Sequence, residues 1–207
     1  MQSLCKSIFV AAVIGVLSAS CSCGEEVESF DLRQRLNDPI EYYVVLCARE
    51  SDPWGAGHTF VVLIRKDKQR GKVNSTGFGF YPNADRVIVN LFVGRGKFSY
   101  ESTRAASVEP RLLTHRLIFQ VDHEAFEAAM ATRDQWRSAG YDYNLLSRNC
   151  AHFGRAVCRA LGLDVPPPNF GERPPQYVER LMSYDWGRPR IPERRQLRSD
   201  FVSTGNR

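Results

Sequence analysis

The 207-residue sequence is short of several things, and each shortage removes a class of function. It has only four histidines and six cysteines, and no pair of cysteines has zinc-ligand spacing joined to a second pair. No metal or other cofactor is therefore expected. There is no internal repeat, so solenoids and propellers are set aside. Its apolar N-terminal run IFVAAVIGVL is too short to span a bilayer as a helix. The Gly-rich GRGK at 94–97 lacks the strand–helix context of a phosphate loop and reads as a hairpin turn. The charge excess is mild: 28 basic against 23 acidic residues, or +5, with no dense Lys/Arg stripe in the central part. That reads as a solvated surface, and no nucleic-acid partner is expected. Part of the excess sits in residues 185–207, where six Arg face Asp185, Glu193 and Asp200.

What is present is apolar material for one domain with accessories: 43% of residues are hydrophobic and 11% aromatic. Lys6, the apolar run and SASCSC follow the charged, apolar, small-residue order of a secretory signal peptide, assigned to residues 1–20. Cys21 after LSAS leaves two outcomes open, ordinary cleavage or lipidation that anchors the chain to a membrane. The size rule for a lipidation box is met one residue too early, at Leu17 instead of Ser18. Export permits a disulfide among Cys23, Cys47 and Cys158. Residues 21–39 are polar and are expected to form a linker or lead-in helix. The domain proper is assigned to 40–184, and 185–207 to a basic, flexible tail.

Within the domain, β-rich runs come first. YYVVLC (42–47), HTFVVLIR (58–65), TGFGFY (76–81), RVIVNLFV (86–93) and LLTHRLIFQV (112–121) read as strands. HTFVVLIR is apolar on both faces, which predicts a central strand. In the last run Leu113, His115, Leu117, Phe119 and Val121 are expected to share one face. Helices follow. Asp122 is a candidate cap for 123–139, with Phe126, Ala129, Met130, Arg133 and Trp136 on one stripe and Gly140 as the stop. A second helix begins at Asn149–Cys150 and ends at Gly162. A third is entered through Pro174-Pro175. Strands followed by helices predict an α+β domain.

Cys150 carries the chemical interest. Asn149 is a good N-cap type, which puts Cys150 at the first helical position. Free backbone N–H groups and the positive helix end favour a thiolate there and offer an oxyanion site. Such a thiolate needs a base. His58 opens the central strand after the turn GAG, at the edge of a cleft. His115 reads as a packed, hydrogen-bonded histidine and His123 as a solvated one. His152 lies two residues past Cys150, and helical neighbours at that spacing do not face each other, so it supports the helix start or lines the cleft. Cys158 reads as core or half-cystine, Trp54 and Trp136 as packing or cleft walls, and Glu101 and Asp142 as solvated charges.

NCAHF at 149–153, preceded by Tyr143 and LL, resembles the NC-x-HF signature of the permuted papain-like superfamily. That group includes the PPPDE-type peptidases, the lecithin–retinol acyltransferase-like proteins and relatives of the NlpC-type cell-wall peptidases. The order also matches: GHTFVVL at 57–63, then the cysteine at a helix start. The resemblance spans roughly residues 40–184 and implies a permuted papain-like fold, an antiparallel sheet packed on a helix that starts at the cysteine. It implies Cys150 as nucleophile, His58 as general base and acid, and Asn149 as support for the helix cap and oxyanion. His152, Tyr143 and Trp54 become cleft candidates. Relatives often carry a His, Asn or Asp on the strand after the histidine strand; here that strand offers only Ser75, Thr76, Tyr81 or Asn83, none of which is assigned, and a Cys–His dyad is left open.

The resulting expectation is an exported thiol hydrolase that cleaves an amide or peptide bond, with a peptide or peptidoglycan-like substrate in a bacterial envelope. The same residues serve a thiol acyltransferase, since one thioester leads to both outcomes. A non-catalytic envelope binding domain of the same fold is the remaining alternative.

Overall fold

The computed structural model describes residues 26–34, 38–50, 57–82, 94–101, 113–139 and 142–187. The expected signal peptide, Cys21, Cys23, Trp54, Asn83, the strand RVIVNLFV, Gly140 and the tail beyond Gly187 lie outside these residues.

Among the described residues the architecture is α+β, a seven-stranded sheet and three helices. The strands are β1 (Glu26–Asp31), β2 (Ile40–Arg49), β3 (His58–Asp67), β4 (Lys72–Pro82), β5 (Gly94–Glu101), β6 (Leu113–Val121) and β7 (Asp142–Tyr143). The helices are α1 (His123–Ser138), α2 (Cys150–Ala160) and α3 (Pro174–Met182). Strand order is β1-β6-β2-β3-β4-β5-β7. All pairs are antiparallel except β1 with β6. As the two-sided apolar pattern predicts, β3 is central, and the histidine-bearing strand is covered on both faces.

One face carries the main core. Val44, Leu46, Val61, Leu63, Phe80, Leu117 and Phe119 meet α1, α2 and α3 there, through Phe126, Phe153, Val157, Val178 and Leu181. The other face buries Tyr43, Val45, Cys47, Phe60, Val62 and Ile64. Helix α2 comes very close to the sheet because Gly154 has no side chain: a Cβ there would lie 2.6 Å from Leu46 Cδ1 and 3.3 Å from Thr59 Cγ2.

Several expectations change. Residues 26–31 form a strand, not a linker or helix: they pair with β6, Phe30 packs on Phe119 and Trp186, and Val27 packs on the other face. Trp186, at the start of the expected flexible tail, is fixed by those rings and by its indole N–H, which donates to the Leu181 carbonyl. GRGK is the first half of β5, not a turn: Gly94 and Arg95 pair with β7, Gly96 and Lys97 with β4. Leu113 lies in the second face's core, away from Leu117 and Phe119, because the β2–β6 register shifts at Ala48/Arg49 and flips the alternation. Asp122 sits at the N-cap of α1 but caps nothing with its side chain; its carboxylate accepts from Gln34 N–H, 2.7 Å away. Cys47, Cys150 and Cys158 are all free. Cys47 and Cys158 belong to cores on opposite faces of the sheet, so they cannot bridge.

Candidate active site

The site forms where the start of β3 meets the start of α2. Gly57 precedes His58 with φ +72°, and a Cβ there would lie 2.4 Å from Pro175 Cδ. Only glycine fits this turn against the first residues of α3. Thr59 then donates its hydroxyl to the Pro174 carbonyl, 3.2 Å away, tying β3 to the same helix start. His58 is thereby fixed from the backbone outward.

Asn149 places the cysteine. Its Oδ1 accepts from the N–H groups of Ala151 (2.9 Å) and His152 (3.2 Å), and the His152 ring accepts in return from the Asn149 N–H at 3.4 Å. This is a reciprocal capping box with histidine in the place usually held by Glu or Gln. The Asn149 amide nitrogen is itself engaged, donating to the Leu145 carbonyl. Asn149 thus acts as the helix cap, with one N–H of its amide spent on Leu145. Two of the first-turn amides are also taken, which leaves the Cys150 N–H without a partner among the described residues.

The thiol and the imidazole lie close enough for each to shift the other's titration. Both are nearly covered, Cys150 at 3% exposure and His58 at 7%. Burial alone raises a thiol pKa and lowers that of a histidine. Here the mutual charge and hydrogen bond outweigh it. Cys150 is pushed below its usual value, helped by hydrogen bonds from the backbone N–H groups of Thr59 and Ala151. His58 is pushed above its usual value, helped by Glu101. Both shifts run in the direction of a thiolate beside an imidazolium. Cys158 gives the contrast on the same helix: with burial and no cation, its pKa rises to about 12.

Glu101 is the residue the sequence did not disclose. The solvated charge expected there is an 8%-exposed carboxylate at the end of β5. Its Oε1 lies 3.5 Å from His58 Nε2, and its Oε2 lies 3.4 Å from Arg49 Nη1. Arg49 also donates to the Tyr81 hydroxyl at 3.0 Å, and the Tyr81 ring stacks on His58 with centroids 4.1 Å apart. Gly79 makes the crossing possible: a Cβ there would stand 2.6 Å from His58 Nε2 and 2.8 Å from Glu101 Oε1. The third polar group thus arrives from β5, two strands from the histidine, over a glycine of β4. Ser75 and Thr76 pair with Ile64 and Leu63, well along β3 from His58.

Of the other candidates, Tyr143 is at the site. It is buried on β7 against Phe80, and burial together with the Cys150 charge raises its phenol pKa, so it stays protonated. His152 is not; its ring sits in the capping box and lines a separate surface depression. His115 is held by Thr114 Oγ1 at 2.9 Å, and exposed His123 lies near Glu127. Among the described residues, no cluster of three His, Cys, Asp or Glu is arranged to hold a metal ion.

Comparison with models of known protein families, with curated proteins and with solved structures finds no match.

Proposed function

We propose that this protein is a thiol hydrolase of permuted papain-like type, acting on an amide or peptide bond with Cys150 as nucleophile and His58 as base and acid. The observation that carries the reading is the charge-coupled Cys150–His58 pair, with the thiol pKa held low despite full burial. The order of strand histidine before helix cysteine supports the permuted arrangement.

The steps follow from the geometry. The thiolate adds to the substrate carbonyl carbon, and the carbonyl oxygen takes the negative charge. The unpartnered N–H of Cys150 is the backbone donor nearest the new bond, and the Tyr143 hydroxyl, kept protonated, supplies a side-chain donor. His58 transfers its proton to the leaving amine as the C–N bond breaks. It then takes a proton from water as the hydroxide oxygen adds to the thioester carbonyl, and the C–S bond breaks to release the acid and restore the thiolate beside the imidazolium. With Nε2 turned toward Glu101, Nδ1 of His58 serves the sulfur. Glu101 is a positioning residue: it fixes the ring and favours the imidazolium.

One observation favours the acyltransferase outcome as the second reading. The near-complete cover over Cys150 and His58 restricts water, and an amine acceptor then competes better for the thioester.

The leader sequence motivates peptidoglycan as the amide source. The test is incubation with purified sacculi beside a Cys150→Ala control, with fragments read by mass spectrometry. New free amine and carboxyl ends from the wild type alone are expected, and new amide adducts with an added amine mark acyl transfer. Identical fragments from both proteins would rule out the proposed substrate.

A further inference from the structure

Four neighbouring strands each send one side chain to the same spot, on the sheet face opposite the helices and at the end where β3 begins. Arg49 of β2 and His58 of β3 are direct cross-strand partners. Arg49 continues the row of Tyr43, Val45 and Cys47, and His58 continues that of Phe60 and Val62, so strand alternation puts both on this face. Tyr81 lies in the row of Gly77 and Gly79, on the side of β4 that Phe78 and Phe80 do not use, and Glu101 of β5 pairs with Gly77. The imidazole is boxed in by this arrangement. The Tyr81 ring covers one side of it at 4.1 Å, and the Glu101 carboxylate stands at its edge, 3.5 Å from Nε2.

Both of those groups are held by Arg49. Its Nη1 donates to Glu101 Oε2 at 3.4 Å, and its Nη2 donates to the Tyr81 hydroxyl at 3.0 Å. A guanidinium is planar and keeps its donors at fixed angles, so a grip on the carboxylate also sets where the phenol lies. The guanidinium is itself located over the Phe60 ring, 5.6 Å from the centroid. Compensating the charge of Glu101 needs only a cation nearby. One fork shared between acceptors from two different strands does more: it fixes the two surfaces that touch the imidazole relative to each other.

We propose that Arg49 is a positioning residue for the chemistry at His58: its fork holds the Glu101 carboxylate at the edge of the ring and the Tyr81 phenol on its side, which leaves the imidazole one orientation toward the sulfur. The inference rests on the reading of His58 as base and acid, and it gives a role to a residue that acts only through its neighbours.

The test separates geometry from charge. Among the described residues, the charged and titratable groups around His58 are Cys150 from α2, Glu101 from β5, Arg49 from β2 and Tyr81 from β4. The full chain carrying Cys150→Ala removes the thiol, and the His58 titration is then followed by NMR of its ring carbon-bound proton. Glu101 favours the protonated ring, and a Glu101 that has lost its grip does so less. Arg49→Met is therefore expected to move the His58 midpoint to lower pH. Were Arg49 to act by charge alone, its removal would take a cation away from the imidazolium and move the midpoint to higher pH. Arg49→Lys keeps the charge without the fork, and the same downward shift is expected. Tyr81→Phe keeps the stacked ring and removes only the hydroxyl that seats Nη2; a smaller shift in the same direction is expected. A midpoint that rises in Arg49→Met, or holds at the wild-type value in Arg49→Lys, overturns the proposal. Should those variants fail to fold, a midpoint unmoved in Tyr81→Phe overturns it. The underlying reading fails separately: unchanged Cys150 labelling in His58→Ala would sink the nucleophile–base pair, whereas the His58 midpoints judge Arg49 alone.

Discussion

Glu101 Oε1 stands 3.5 Å from His58 Nε2, and neither atom has a hydrogen-bond partner. Two buried polar atoms face each other at the outer limit of a hydrogen bond, each otherwise unserved. An unpaired buried group costs about 1–3 kcal/mol, so the contact is expected to shorten whenever His58 is protonated.

Glu101→Gln keeps the shape and removes the charge. Glu101 raises the His58 pKa, so its loss lowers that pKa, and the alkaline limb of the pH–rate profile moves to lower pH. The Cys150 limb moves up, because a less stable imidazolium supports the thiolate less. Activity is expected to fall on the order of 10- to 100-fold, less than the 10²–10⁴ ascribed to a whole acid–base group. If activity falls with both limbs in place, Glu101 acts only by packing.

Native alkylation with iodoacetamide separates the thiols. Cys150 is expected to react first, with a half-maximal rate below the ordinary thiol pKa of about 8.5. Cys158, with its pKa near 12, reacts only on unfolding. In His58→Ala the burial effect is no longer opposed by the imidazolium, so the Cys150 curve moves to higher pH and its rate at neutral pH drops about tenfold or more. Equal labelling of Cys150 and Cys158 in the folded protein would contradict the activated thiolate.

Gly79→Ala forces a methyl against His58, Glu101 and Tyr81 at 2.6–2.8 Å. Overpacking of this kind costs about 1–3 kcal/mol, and the displaced ring is expected to abolish fast Cys150 labelling. Gly71→Ala is the matched control. It has φ +62° but no atom within 4 Å, so melting falls by backbone strain alone while labelling stays at the wild-type rate. Loss of labelling in both variants would show that general destabilisation is responsible.

The helix that starts at Cys150 was legible in the sequence because its signals are local: an Asn cap, an apolar stripe and a terminal Gly162, seen at α2 where expected. The central place of β3 followed from its two apolar faces. Glu101 was not legible, since its role depends on strand pairing that brings it beside Gly77 and across from His58. The glycines of TGFGFY were the available hint, because small residues in a strand mark close approach. Strand β1 was hidden by its charge, as one Phe30 in EVESFD does not make a period. The face of Leu113 was lost to a register shift that no single-strand pattern records.

The seat of the His58 turn on Pro174 and Pro175 also fixes a timetable for biosynthesis. The ribosome delivers the histidine early and the cysteine late, and the buttress that holds the histidine comes last of the three. A nascent or truncated chain ending before Pro174 therefore carries both reactive groups but lacks the brace that aligns them. A fragment ending at Arg173, which lacks that brace, is expected to show only ordinary thiol reactivity.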